Sequence, residues 1–428
     1  YPKTKYSEYS ANLLLDIYNL KKDYAGLEKM GTELLANDAI AGSKAGSDIR
    51  GVLEKANFKK AQDLEIGKDY LGSAKQYQAF ALQNPKSDLV SMAVFNAGVN
   101  FERSGQSAEA MQNYKKVLVA KDKNSEPLKP KAKKLLAKLY QDAGQFEESA
   151  QLFKQLALEN PKDPLAPNYL YNAAVQFEAV GKTKDAVDNY SEYIKVNKNQ
   201  KENSEIIFNM AQMLRRAGSN TAAAEKFEDY IRIAADSSQK VEAYYWLTKI
   251  GKRTQDEIKD RKAKAIQIYQ RISKEQKDMS AGYVAQFKYE EAEKTYQQLK
   301  SINIPADPAR QKKAVDEKLD LITKLNEELG AVIKMDSADE IVKSLNLVGL
   351  ANEHMGQAFV NAPIPAGFNE DQKKQYMAAI AKVAEPFVNK SKDSFKAAVE
   401  RGWDLETYNV GYRQALEKMQ TIDPKGYY

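Results

Sequence analysis

The chain has 428 residues, 43% of them hydrophobic, and 65 basic against 59 acidic residues give it a formal net charge of +6. It holds no cysteine and a single histidine, His354, which excludes disulfides, thiolate metal sites, thiol nucleophiles and multi-histidine metal motifs. Charges of both signs interleave, so no basic face of the kind that binds nucleic acid is gathered, and no apolar run reaches the roughly 18 residues a membrane-spanning helix needs.

The opening Tyr1-Pro2-Lys3-Thr4-Lys5-Tyr6 reads as the Pro-containing close of one repeat running into the next. With no initiator Met, signal peptide or lipid-anchoring Cys, the chain reads as a piece whose upstream part is missing. Tyr9–Leu35 follows as a degenerate helical unit, with Gly26 and Met30 in its second helix. A less regular helix over about Gly51–Ile66 then leads into a recurrent motif, a small residue followed four positions later by an aromatic. It appears at Ser73/Tyr77, Ala110/Tyr114, Ser149/Phe153, Ala186/Tyr190 and Ala223/Phe227, with the small residues 37, 39, 37 and 37 apart. A near-constant interval in this range is the signature of stacked helix pairs.

Segments beginning at Ser91, Ala166 and Ser204 align without gaps. Each has a first helix with a small residue (Gly98, Ala174, Ala211) and, three positions later, a large one (Phe101, Phe177, Leu214). A turn glycine follows (Gly105, Gly181, Gly218), expected to supply the positive φ that closes a helix. Pro130–Pro161 fits the same frame through Ala137, Tyr140, Gly144, Ser149 and Phe153. A further unit over Lys240–Lys274 carries Ala265 and Tyr269, with a charge-rich insertion at Lys252–Lys264. The basic run Lys249–Lys264 reads as a solvated loop and helix face, with a docking patch as the alternative.

From about Pro305 the period is lost while helical spacing continues. Ala309–Met335 is expected to be helical on Val315, Leu319, Ile322, Leu325, Leu329 and Val332. Ser337-Ala338-Asp339-Glu340 reads as a capping box opening a helix to about Asn361, which contains His354 as an ordinary helix residue. Pro363-Ile364-Pro365-Ala366-Gly367 forbids its continuation. A helix from Glu370 to about Val399, kinked at Pro386, and a last one capped by Asp404 and ending near Met419 complete the chain.

The repeat frame resembles the tetratricopeptide repeat, whose pattern is small–x2–aromatic, Gly, then Ala–x3–aromatic, often with a closing Pro. The resemblance implies an all-α, right-handed superhelix of stacked helix hairpins. About seven units, the first and last degenerate, would occupy residues 1–300, and a C-terminal helical domain over 301–428 would cap the stack.

Catalytic arrangements are thin. The sequence has no phosphate loop, dinucleotide fingerprint or Gly-x-Ser-x-Gly elbow, and acidic pairs such as Glu147/Glu148 and Glu290/Glu291 read as helix-surface ion pairs. The expectation is a protein without catalysis or cofactor. An aromatic–Asn pair does recur at one position of the first helix, as Phe95-Asn96, Tyr171-Asn172 and Phe208-Asn209, with Lys134-Leu135 interrupting the series. In tetratricopeptide arrays that helix lines the concave face, and families of this fold clamp peptides with stacked asparagines. An amide can donate to and accept from an extended peptide backbone. Arg103, Gln176, Arg215 and Arg216 lie on or near the same helices and could bind acidic groups of a partner. Packing remains open for both members of the pair: the Asn bonding its own or the next helix, the aromatic filling the core.

The C-terminal stretch from Pro363 to Phe368, with Tyr376, Ala384-Glu385-Pro386-Phe387, Trp403 and Asp423-Pro424-Lys425-Gly426-Tyr427, is similar to the tail of deltaproteobacterial envelope tetratricopeptide proteins, among them gliding-motility scaffolds. That resemblance implies a periplasmic or outer-membrane-associated scaffold whose partners are envelope proteins. A cytosolic peptide-binding adaptor or chaperone-type protein is the alternative. The carboxylate clamp of chaperone-binding domains needs a basic pair in the repeat after Asn209, where this chain has Ala243 and Trp246.

Overall fold

The computed structural model describes residues 5–251, 253–364 and 367–427. The opening Tyr1–Thr4, Lys252 at the start of the expected insertion, and Pro365-Ala366 lie outside the described residues. Helix accounts for 81% of the chain, and among the described residues there is no strand. Seven hairpins follow one another. They are α1 (Lys5–Leu20) with α2 (Tyr24–Leu35), α4 (Lys44–Ile66) with α5 (Tyr70–Gln83), α6 (Val90–Arg103) with α7 (Ser107–Val119), α8 (Lys129–Asp142) with α9 (Phe146–Glu159), α10 (Ala166–Ala179) with α11 (Thr183–Val196), α12 (Gln200–Arg216) with α13 (Asn220–Ile233), and α14 (Ser238–Lys249) with α15 (Gln255–Arg271). A one-turn helix α3 (Asp38–Ala41) joins the first two hairpins, and a 3-10 turn at Glu126–Leu128 leads into α8. Five further helices close the chain: α16 (Lys274–Ser301), α17 (Pro308–Ile333), α18 (Ala338–Val360), α19 (Glu370–Asp404) and α20 (Val410–Ile422). Two compact units result, Tyr1–Asn199 and Gln200–Tyr428.

The hairpin turns repeat one geometry. Gly105, Gly144, Gly181 and Gly218 take φ between 72° and 79°, as the sequence predicts. In each turn the following N–H reaches back to the large first-helix residue: Gln106 to Phe101 O at 2.8 Å, Gln145 to Tyr140 O at 2.8 Å, Lys182 to Phe177 O at 2.9 Å and Ser219 to Leu214 O at 2.9 Å. This six-to-one bond satisfies carbonyls that the helix end leaves unpaired. Lys22 and Lys68 take the same place in the first two hairpins at φ 56° and 65°. Asp23 and Asp69 follow them and cap the next helix, accepting from Gly26 N and Gly72 N at 2.9 Å.

Between the helices of a pair, the small residues permit the close approach the sequence implies. Ser73 Oγ donates to Ala61 O at 2.8 Å, and Ser149 Oγ donates to Ala137 O at 2.7 Å. The motif aromatics Tyr77, Tyr114 and Phe227 are fully buried, and Phe153 and Tyr190 nearly so. Gly98 has no room for a side chain, since an added Cβ would stand 2.7 Å from the Tyr114 ring.

Several boundaries differ from expectation. The helix expected at Gly51 begins at Lys44, where Ser43 accepts from Gly46 N at 3.3 Å. Within the charge-rich insertion Arg253-Thr254 is irregular and the helix starts at Gln255. Thr254 and Glu257 form a capping box, so the basic run enters α15 directly. Five of its described cations are paired: Lys249 and Lys262 with Glu290, Arg253 and Arg261 with Glu228, and Lys264 with Asp260. Ser337 precedes α18, but its hydroxyl bonds the Glu340 carboxylate at 2.6 Å rather than a backbone N–H, so the expected capping box does not form. Helix α19 continues through Pro386 to Asp404, and the last helix is capped by Asn409, which accepts from Tyr412 N at 3.1 Å.

Candidate partner-binding surface

The expected site residues lie on the first helices of three hairpins, α6 and α10 in the first unit and α12 in the second. The aromatic of each pair packs on the second helix of its own hairpin. Phe95 lies 6.0 Å from the Tyr114 ring, Tyr171 lies 5.9 Å and 5.3 Å from Tyr190 and Tyr193, and Phe208 lies 5.9 Å and 5.0 Å from Phe227 and Tyr230. One register position, three times, thus ties a hairpin together. Phe208 is buried, Phe95 half-buried, and Tyr171 keeps an exposed edge. Two of the packed tyrosines are held by first-helix carboxylates: Tyr114 OH donates to Glu102 at 2.7 Å and Tyr190 OH to Glu178 at 3.0 Å. Burial, reinforced by those carboxylates, pushes both phenols well above their ordinary range.

One residue on, the asparagines divide. Asn172 and Asn209 are exposed, and neither amide makes a hydrogen bond among the described residues. Asn96 is half-buried and lies near the hydroxyl of Tyr77 in the preceding hairpin, without a bond of ordinary geometry. Burial raises that phenol to about 12, the Asn96 amide opposing the rise and Glu65 adding to it.

Most of the other expected contacts are engaged within the chain. Arg103 binds Glu65 at 2.7 Å and lies over the Tyr70 ring at 5.6 Å. Gln176 is buried and donates to Gln141 of the preceding first helix at 3.2 Å, leaving its own carbonyl oxygen unpaired. Arg215 stacks on Trp246 with its guanidinium 3.7 Å from the ring centroid, and its Nε donates to Gln212 at 3.0 Å. Of these cations, Arg216 alone makes no ion pair or hydrogen bond among the described residues.

Sequence reasoning missed the network around Arg215. Glu242 accepts from Gln212 at 2.6 Å and from the Trp246 indole N–H at 3.0 Å. Burial, with Glu242 beside it, drives the Tyr283 phenol upward. These partners sit 27 to 71 residues from Arg215 and Gln212 without a common register, so periodicity gives no sign of them. Among the described residues no group of acids and histidine is placed to hold a metal ion. Among the described residues no helix is long and apolar enough to cross a membrane.

Chemically, the first-helix faces offer bare primary amides and, of the described cations named above, one unpaired guanidinium beside packed aromatic edges; amides of this kind carry both donors and acceptors for peptide backbone, and a guanidinium donates to carboxylates. The chain matches no curated protein. Among solved structures it is similar to a tetratricopeptide repeat protein from Parabacteroides merdae, at 13% identity over 64% of this chain and 97% of that one, with a TM-score of 0.27. It is also similar to Pseudomonas aeruginosa pilF, at 14% identity over 55% and 97%, TM-score 0.24. A third is the C-terminal part of a repeat protein from Cytophaga hutchinsonii, at 13% over 63% and 98%, TM-score 0.27. Two family models described as tetratricopeptide repeat match residues 103–166 and 171–238, and they identify repeats of that kind in this chain.

Proposed function

We propose that the chain is a non-catalytic scaffold of a bacterial cell-envelope complex, periplasmic or outer-membrane-associated, that holds extended segments of partner proteins against the first-helix faces of its repeats. Tetratricopeptide repeats imply protein partners. The observation that carries the reading is the division within the aromatic–Asn pairs. The ring is spent on packing, while the Asn172 and Asn209 amides stay exposed and unbonded. A polar group kept free at a recurring position is available to a backbone that lacks its own hydrogen-bond partners. Tyr171 and Arg216 extend the same two faces with an aromatic edge and a cation. The envelope setting rests on the resemblance of the C-terminal stretch.

Affinity capture from a lysate separated into envelope and soluble fractions tests both parts, with wild type and the Asn172→Ala/Asn209→Ala variant as baits. The expected result is recovery of envelope proteins by the wild type and their loss with the variant. Equal recovery by both would move the contact off these faces, and recovery of soluble proteins alone would overturn the envelope setting.

A further inference from the structure

Helices α14 to α17 border a cleft of about 900 Å³ inside the second unit. Its floor is apolar: Phe287 of α16 is fully buried, and Ile258 and Ile266 of α15 are half-buried. Toward the C-terminal end of α15 the seam with α16 is closed, because Ala265, Ile268 and Ile272 share one buried cluster with Val284 and Phe287. Ahead of Ala265, polar side chains span the gap. Glu290 of α16 accepts from Lys249 of α14 and from Lys262 of α15, and the Lys262 ammonium lies 5.4 Å from the Phe287 ring centroid. A cleft of this volume over an apolar floor takes a small ligand or a few side chains of a partner.

The charges on its walls do not balance. Five lysines line it: Lys249, Lys259, Lys262, Lys288 and Lys294. Glu290 is held by Lys249 and Lys262, and Glu291 by Lys294 at 2.8 Å and Lys262 at 3.5 Å. The other two acids are answered elsewhere. Asp256 stands in the first turn of α15, where the helix dipole favours a carboxylate. Glu328 of α17 lies 3.8 Å from Lys324, and its second oxygen is shut off from solvent. Lys259 and Lys288 remain, exposed on α15 and α16, with no ion pair or hydrogen bond among the described residues. We propose that this cleft docks an acidic segment of a partner protein, a large apolar side chain resting on the Phe287 floor and flanking carboxylates on Lys259 and Lys288. An uncharged segment leaves both ammoniums unmatched, and a basic one adds to the excess. The site is separate from the first-helix faces of α6, α10 and α12.

Panning a phage-displayed library of random short peptides on the full chain tests this, with fluorescence anisotropy of the most enriched peptide as the readout. The expected peptides carry two or more acids around a large apolar residue. Lys259→Glu/Lys288→Glu should weaken binding more than about tenfold, and so should Ala263→Trp, which fills the cleft without changing charge, both with helical circular dichroism unchanged. Lys312→Glu/Lys313→Glu makes the same charge change on exposed positions of α17, about 20 Å along the helix from Glu328. That variant should alter affinity less than about twofold. Enrichment of basic or uncharged peptides, no enrichment, binding indifferent to both cleft variants, or equal loss with Lys312→Glu/Lys313→Glu overturns the proposal. Loss with Asn172→Ala/Asn209→Ala alone would place the peptide on the first-helix faces and overturn this site while leaving the scaffold reading intact.

Discussion

Hairpins α4 to α11 and helices α16 to α20 solve the burial problem in different ways. In the hairpins a local polar tie recurs between the two helices of a pair. Ser73 and Ser149 reach a carbonyl 12 residues back, and Tyr114 and Tyr190 reach a carboxylate at the same separation. Among the C-terminal helices the ties are long and individual. Lys318 is 1% exposed and has no acid beside it; it donates to Leu299 O at 2.7 Å and lies 2.9 Å from His354 Nε2. Asn346 donates to Gln414 at 2.9 Å, and Lys418 pairs with Glu353 at 2.8 Å. The first region repeats a small set of contacts that each sequence period renews. The second depends on contacts made once, so a single loss there has no twin elsewhere.

That contrast sets the sizes of the expected effects. Phe395 is fully buried, and its ring stands 2.5 Å from where a Cβ on Gly349 would sit. Phe395→Ala is expected to cost about 3–5 kcal/mol by leaving a cavity that fixed backbone cannot fill. Urea unfolding followed by tryptophan fluorescence reads this, since Trp246 and Trp403 both lie in the second unit. A loss under about 1 kcal/mol would show the C-terminal helices to be as forgiving as the repeats.

Next in size is Lys318→Met, expected to stabilise by about 1–3 kcal/mol because a buried cation without a counter-charge gives way to a hydrophobe. Its signature is in pH. Burial, and then the Lys318 charge, holds His354 below its ordinary value of 6.5. The unfolded chain therefore takes up a proton near 6.5 that the folded chain refuses. Stability is full above that value and falls as pH drops from 6.5 toward the folded value. The wild type should lose stability between pH 7 and 5, and Lys318→Met should lose less; equal slopes would remove the coupling.

Smaller effects belong to the turns. Lys68 holds a left-handed conformation that glycine adopts without strain, so Lys68→Gly should stabilise by about 0.5–1 kcal/mol and Gly181→Ala should cost about 1 kcal/mol in thermal melts. Changes of the same sign at both sites would break the equivalence of the turns. Smallest on stability is the exposed pair: Asn172→Ala with Asn209→Ala should shift unfolding by less than about 0.5 kcal/mol while weakening partner capture.

The repeats were legible because each position meets the same neighbour at every period: Gly105, Gly144, Gly181 and Gly218 announce their turns, and the small–aromatic pairs announce the seam. Lys22 and Lys68 hid theirs, since a lysine gives no sign of a positive φ. The start of α4 was missed because Lys44–Arg50 lacks apolar periodicity, and its cap, Ser43, lies in a run of small residues. Asn409 rather than Asp404 caps α20 because Trp403 and Asp404 complete α19, which nothing in the local pattern forbids. Lys318 reads as one more charge on a charged helix, and its partner lies 36 residues away without any shared register. At the candidate surface the sequence gives no sign of which Arg and Gln side chains the neighbouring hairpins claim: Glu65, Gln141 and Trp246 decide that.

The 12-residue ties also bear on how the chain reaches this state. Each closes a loop of only 12 residues around a single turn, so a hairpin can brace itself before any distant segment arrives. Low contact order of this kind favours rapid folding that can start in any one of α4–α5, α6–α7, α8–α9 or α10–α11 and spread to its neighbours. The Lys318–His354 and Asn346–Gln414 contacts close 36 and 68 residues, so α16 to α20 are expected to assemble last.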